Sequence, residues 1–263
     1  MNVESIVNNF YEEGYVVVRQ LIDASVCDAI KEECEKILFG NYSTNIIPDK
    51  VKWDPKDKDN TPRSICNGWK SSHYLTTFIR SNPINFLAMK LMNWNSLKLN
   101  QDSIIFLPPN AGGVTMHQDN SYQDWHSPGG VITAWIALSD CNKDCGGLEY
   151  IPKSHLWKIS DRVDNFITAP NHKYDIYAKN AAKLQGNDFK IVKPIFKKGD
   201  VGFHHGLCWH GSANNINGNT RSAYALHFMN GISTFNECIS PFFSRYKLHN
   251  SYTMDDAFFP KLI

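Results

Sequence analysis

The spacing of apolar positions changes character along the chain. Over residues 5–13, Ile6, Val7 and Phe10 fall on one face, which predicts a short helix stopped by Gly14. Tyr15 to Arg19 is β-branched and predicts a strand. A second helix, capped by Asp23 or Ser25, carries Val26, Ile30, Ile37 and Leu38 and ends at Gly40. Residues 41–63 are rich in Lys, Asp, Asn and Pro and show no period, which predicts a long loop. Asn82-Pro83 supplies a cap and a first-turn proline for a third helix reaching about Trp94. Beyond it the pattern is mostly β. Leu97 to Leu107 reads as one long strand or a strand pair, and Pro108-Pro109-Asn110 and Gly112-Gly113 read as turns. Val131 to Leu138 is unbroken and apolar, and shorter strands are predicted at Leu148–Ile151, Val192–Phe196, Val201–His204 and Tyr224–Met229. Asn165 to Asn187 is a polar insertion, partly helical. This order predicts a mainly-β fold, a sandwich or barrel buttressed by N-terminal α-helices. Neither Gly129-Gly130 nor Gly146-Gly147 forms the Gly-rich loop of a doubly wound nucleotide fold.

Composition narrows the classes. The 263 residues fit one domain, and 27 basic against 26 acidic side chains leave a net charge of +1. That balance predicts no nucleic-acid partner and no anionic membrane surface. No apolar run approaches the ~18–20 residues of a membrane span. Met1 to Tyr11 contains Glu4 and Asn8 and no signal-peptide core, so the chain reads as cytoplasmic. Its seven scattered cysteines then read as free thiols. Cys141 and Cys145 lack the two further ligands of a structural zinc site.

Two segments carry candidate chemistry. In Met116-His117-Gln118-Asp119, residues i and i+2 of a strand share a face, so His117 and Asp119 put an imidazole and a carboxylate side by side. His210 lies on a later predicted strand, which a rolled sheet can bring opposite them. Two imidazoles and one carboxylate form the facial triad of non-haem iron(II) oxygenases, and zinc accepts the same set. Arg221 follows His210 by eleven residues. An inward guanidinium near a metal needs an anion, and a dicarboxylic co-substrate, chelating the metal at one end, suits its planar fork.

At these positions the chain resembles the phytanoyl-CoA dioxygenase family of iron(II)- and 2-oxoglutarate-dependent oxygenases, whose relatives include ectoine hydroxylase. The resemblance runs from about Phe10 to about Asn230. It is carried by Phe10 to Leu21, by His117-Gln118-Asp119, and by Trp135 to Asp140 with Gly146-Gly147-Leu148 and Ile151 to His155. Gly199-Asp200, His210-Gly211-Ser212 and Arg221 complete it. Cys145 stands where the family usually has Asn. The resemblance implies a double-stranded β-helix, that is, a cupin-like jelly roll. It implies Fe(II), 2-oxoglutarate and O2, with His117, Asp119 and His210 as the metal-binding and catalytic set. Arg221 and Ser212 would hold the distal carboxylate, with Gln101, Trp135 and Thr133 beside the co-substrate. The implied reaction is hydroxylation of an unactivated C–H in a small metabolite, releasing succinate and CO2.

Desaturation or cyclisation, and an acyl-CoA or carrier-bound substrate held by Lys193, Lys197 and Lys198, are the alternatives within this class. A non-catalytic metal-binding jelly roll and a zinc hydrolase are the alternatives outside it. Asn120, Tyr122, Trp125 and His126 are the expected substrate-pocket residues, with Trp69 contributed by a lid loop at about 41–75. The expected layout is one dioxygenase unit over residues 1–263: a helical part to 95, a jelly-roll core at 96–240 and a C-terminal extension at 241–263. Monomer and homodimer both fit.

Overall fold

The computed structural model describes residues 2–163, 166–167, 173–237 and 242–263. In chain order the strands are β1 (Tyr15–Val18), β2 (Lys50–Lys52), β3 (Arg63–Cys66), β4 (Leu97–Leu107), β5 (Val114–His117) and β6 (His126–Ser127). They continue with β7 (Val131–Ala137), β8 (Glu149–Tyr150), β9 (Val201–His205), β10 (His210–Ser212), β11 (Arg221–Asn230) and β12 (Thr234–Phe235). The helices are α1 (Val3–Glu13), α2 (Ala24–Leu38), α3 (His73–Arg80), α4 (Pro83–Leu91) and α5 (Ile176–Gln185).

Seven strands make the major sheet, in the order β1-β9-β7-β11-β4-β3-β2, and three make a smaller one, β5-β10-β8. The two sheets are the walls of a jelly roll, as the sequence predicts. Strand parity explains why β7 reads as an unbroken apolar run. Ile132, Ala134 and Ile136 face outward into a core built with α1 to α4, whereas Trp135 and Ala137 face the smaller sheet. Both faces are covered, so both need apolar side chains. On β11 the same parity sends Tyr224, Leu226 and Phe228 to the helices and Ala223 and Ala225 inward. Those two alanines leave room for a chamber between the sheets.

Several boundaries differ from the sequence reading. The expected loop after Gly40 contains β2 and runs into β3; β3 pairs onto β4 and β2 onto β3, extending the edge of the major sheet. The edge strand β2 is charged and buries little, and β3 is four residues long with Ile65 its one fully buried side chain, so neither shows a period. The helix α3 lies where no element was predicted, capped by Ser72 Oγ on the Leu75 N–H. Val192 to Phe196 forms only isolated bridges. Of the polar insertion, Ile176–Gln185 is helical. Cys141 and Cys145 are joined in a disulfide rather than free, since the turn holds their Cα atoms 5.5 Å apart. Cys27, Cys34, Cys66 and Cys208 are free, and Cys238 lies outside the described residues. Among the described residues, no helix is long and apolar enough to cross a membrane.

Candidate active site

The smaller sheet brings the separated histidines together. β5 and β10 pair antiparallel with His117 directly opposite His210. Asp119 follows two residues later, where the strand gives way to a 3-10 turn. Its Oδ1 lies 3.3 Å from His117 Nε2 and 3.5 Å from His210 Nε2, so three ligand atoms converge on one point. Each ring is held from behind by a carbonyl two residues earlier. His117 Nδ1 meets Thr115 O at 2.8 Å and His210 Nδ1 meets Cys208 O at 2.9 Å. A carbonyl only accepts, so both rings carry their hydrogen on Nδ1 and present the Nε2 lone pair to the common point.

The electrostatics favour that state. Burial pushes the Asp119 carboxyl up, but His210 and the ring nitrogens of His117, His204 and His227 outweigh it and hold the group well below the carboxylate range. Burial, then the neighbouring His204, holds His210 well below the usual imidazole range. An ionised carboxylate beside a neutral imidazole is what a cation requires of its ligands.

Close packing puts the two strands in reach. A Cβ at Gly211 would lie 2.7 Å from Val114 O and 2.9 Å from Met116 Cα, and one at Gly113 would lie 2.1 Å from Ser212 O. Glycine at both places lets β5 and β10 meet.

Next to the triad is a small chamber of about 70 Å³, lined among others by Trp135, Leu148, Ser212, Arg221 and Ala225. Arg221 is 2% exposed. Its Nε donates to Gly146 O at 3.1 Å and its guanidinium lies 5.5 Å from the centre of the Trp135 ring. Its Nη1 has no partner, and no acid pairs with it among the described residues. Burial lowers its pKa to about 9. A buried cation with an orphaned donor, facing a chamber, suits an anion. Ser212 Oγ accepts from Val114 N at 3.1 Å and lines the same chamber. The turn that carries Cys145 holds Arg221 through Gly146 O, so the departure from the family's Asn leaves that support in place.

A larger cavity of about 450 Å³ opens outward from Asp119 and His227, past Gln101, Ser103 and Tyr122 to Lys50 and Lys52. Gln101 lines this outer space, not the chamber.

Thr133 lines the chamber, and its hydroxyl donates to Asp119 Oδ2 at 2.5 Å, which ties it to the triad as well. Tyr122 lines the outer cavity as expected, whereas four other expected pocket residues do not. Asn120 Oδ1 is taken by the Val131 N–H. Trp125 is stacked on Phe243, 4.0 Å between ring centres, in an aromatic core with Phe235 and Phe259. His126 is buried against Pro128 O. Trp69 sits in the helix-side core, its N–H given to Asp102. All four are consumed by packing or backbone hydrogen bonds. Lys193 and Lys198 are paired with Glu149 and Asp28, away from the cavity.

Two site residues escaped the sequence reading. His204 projects inward with its Nε2 3.3 Å from Asp119 Oδ2, and His227 lies opposite Thr133. Strand parity carried the signal for His227, which is six residues after Arg221 and on the same face.

Residues 10–223 match the profile of the family described as phytanoyl-CoA dioxygenase (PhyH). The chain belongs to the phytanoyl-CoA dioxygenase family. Membership makes it an oxidoreductase of the iron- and 2-oxoglutarate-dependent class. Within this family, the phytanoyl-CoA dioxygenase domain-containing protein 1 of Danio rerio is 26% identical over 267 residues, spanning 87% of this chain and 90% of that protein. The peroxisomal phytanoyl-CoA dioxygenase of Homo sapiens is 24% identical over 83% of this chain and 66% of its own length. The fold matches the carbocyclase SnoK from nogalamycin biosynthesis with a TM-score of 0.75 at 20% identity, covering 99% of this chain and 96% of that one. EctD from S. alaskensis, solved with 2-oxoglutarate and 5-hydroxyectoine, matches at 0.69 and 18% identity, over 95% and 86% of the two chains.

Proposed function

We propose that the protein oxidises an unactivated C–H bond of a small molecule at an iron centre held by His117 Nε2, Asp119 Oδ1 and His210 Nε2, with 2-oxoglutarate as co-substrate. The observation that carries this reading is Arg221: a buried guanidinium without a counter-ion, facing the chamber that adjoins the triad. The residues present fit both groups. Three converging neutral or anionic ligand atoms suit a divalent cation, and the orphaned Nη1 suits a carboxylate. Iron with 2-oxoglutarate supplies the oxidising power that no side chain possesses.

The chain's own residues do the rest. Arg221 and Ser212 bind the distal carboxylate and so set the co-substrate's reach toward the triad. Trp135 and Leu148 wall the chamber and exclude water from it. Thr133 fixes Asp119 by one oxygen and leaves the other for the metal. The outer cavity, with Tyr122 and Gln101 in its wall, takes the substrate. We read residues 1–263 as one dioxygenase unit, in which β2 and β3 form one wall of the outer cavity.

The test is an anaerobic titration of metal-free protein with Fe(II) and then 2-oxoglutarate, followed by visible absorbance. The native protein should develop a weak metal-to-ligand charge-transfer band. His210→Ala should lose it. Arg221→Ala should need about 30-fold or more co-substrate, the loss of a charge-assisted pair costing ~2–5 kcal/mol. No band at saturating iron overturns the reading.

A further inference from the structure

The chain of hydrogen bonds behind Asp119 fixes the hydrogen positions on His227. Thr133 Oγ1 donates to Asp119 Oδ2, a carboxylate oxygen that accepts. Thr133 Oγ1 lies 2.5 Å from that oxygen and 2.8 Å from His227 Nδ1. A threonine hydroxyl has one hydrogen, and Asp119 takes it. The contact to His227 therefore needs the hydrogen on Nδ1, donated to Thr133 Oγ1. In a neutral imidazole that leaves Nε2 as a lone-pair acceptor.

The ring's surroundings show where that acceptor points. His227 lines both the inner chamber and the outer cavity, one of the few side chains shared by the two. Its backbone is fixed on both sides, opposite Thr133 on β7 and opposite Gln101 on β4. Nδ1 faces the triad, so Nε2, across the ring, faces away from it toward the cavity. No described protein group bonds to Nε2, and it is not among the side-chain atoms sealed from solvent without a partner. His227 is not one of the three metal-ligand candidates, although its Nδ1 lies 3.6 Å from Asp119 Oδ2.

We infer that His227 is a substrate-binding residue whose Nε2 accepts a hydrogen bond from a hydroxyl or N–H group of the substrate, so that the protein selects substrates bearing such a donor near the carbon to be oxidised. This rests on the oxygenase reading for where the reaction occurs. The relay through Thr133 keeps Nε2 free of hydrogen, and the same relay ties the substrate's position to the carboxylate that holds the metal. A substrate lacking the donor would leave Nε2 dry and unpaired, which is the kind of penalty by which hydrogen-bonding sites reject analogues.

The experiment uses the full chain, labelled with 15N-histidine and loaded with Zn(II) and 2-oxoglutarate, at pH 7.5. Long-range 15N–1H correlations read the tautomer of each imidazole, and His227→Gln identifies the His227 signals. The expected pattern is hydrogen on Nδ1 and none on Nε2. Thr133→Val should shift His227 toward a mixture of tautomers, which a purely packing role for Thr133 would not do. Cyclohexanol, cyclohexylamine and methoxycyclohexane are then titrated as probes of matched shape. Cyclohexanol or cyclohexylamine should move the Nε2 resonance and bind about tenfold tighter than the ether, the value of one net hydrogen bond of ~1.4 kcal/mol; which of the two does so distinguishes a hydroxyl from an amine donor. Hydrogen on Nε2 overturns the inference, as does an Nε2 signal that neither donor probe moves at its solubility limit. The oxygenase reading stands or falls separately, on the charge-transfer band of the unmodified protein with Fe(II).

Discussion

At the scale of single residues, the site works by dividing each polar side chain between two tasks. Asp119 turns Oδ1 to the same point as the two histidine Nε2 atoms and gives Oδ2 to Thr133. His117 and His210 give Nδ1 to the backbone and keep Nε2. A carboxylate tethered by one oxygen is held in orientation, which preorganises the ligand set. Thr133→Val should therefore weaken metal binding by about 10–100-fold, the usual effect of losing a partner behind a ligand, with little change in fold. Equilibrium binding of Fe(II) or Co(II), checked beside circular dichroism, measures it. His117, Asp119, His210 and Arg221 could be picked from the sequence because several short segments, each weak alone, resemble the family's motifs in the same order and at the same spacings. Asn120, Trp125, His126 and Trp69 could not be placed in the same way. A polar or aromatic residue near a motif has many possible partners, and here backbone groups and a core take all four.

At the scale of elements, two strands and one turn decide whether the site forms. β5 and β10 approach so closely that a Cβ on Gly113 would meet the backbone oxygens of Ser212 and Ala213 at 2.1 and 2.5 Å. Gly113→Ala should force the strands apart, cost at least ~2 kcal/mol as overpacking does, and abolish the charge-transfer band. A denaturant melt with the absorbance titration tests both parts. On the other face of the major sheet, the Asp102 carboxylate accepts from the N–H groups of Gly68 and Trp69 and from the Tyr224 hydroxyl, tying the turn before α3 to β4 and β11. Burial raises its pKa to about 6, against the pull of those donors. The folded chain thus keeps this proton at pH values where the unfolded chain has lost it. Between about pH 4 and 6 the carboxyl's contribution to stability falls as pH rises, by up to ~3 kcal/mol. The stability of the native protein relative to Asp102→Asn, from denaturant midpoints at pH 4.5 and 7, should fall accordingly. A difference that is flat or rises across that range counts against this account.

At the scale of the molecule, seven strands lie between a layer of helices and the smaller sheet, and the site lies between the two sheets. Ligands that bind only the folded chain stabilise all of it. Fe(II) with 2-oxoglutarate, each at about 100 times its dissociation constant, should add ~2.7 kcal/mol or more, which is ~5–10 °C in melting midpoint for a chain of this size. Removing the metal with a chelator should reverse the shift, and His210→Ala should show none. Scanning calorimetry on apo and reconstituted protein makes the comparison.

What the sequence determined by itself is local and periodic. The apolar segments of β4, β7, β9 and β11, the caps of α1 and α4, and the H-x-D and His-to-Arg spacings are properties of short segments, and each appears in the structure at or near its predicted place. What only the tertiary structure decided depends on pairing between distant strands. β3 is a strand because β4 offers it an edge, and β2 because β3 offers the next one, not because their own residues prefer it. His204 and His227 reach the site because β9 and β11 both pair with β7 and set them opposite Thr133. The role of a buried polar atom is fixed by which partner lies within about 3 Å, and that is a fact of register and packing, which no short segment encodes.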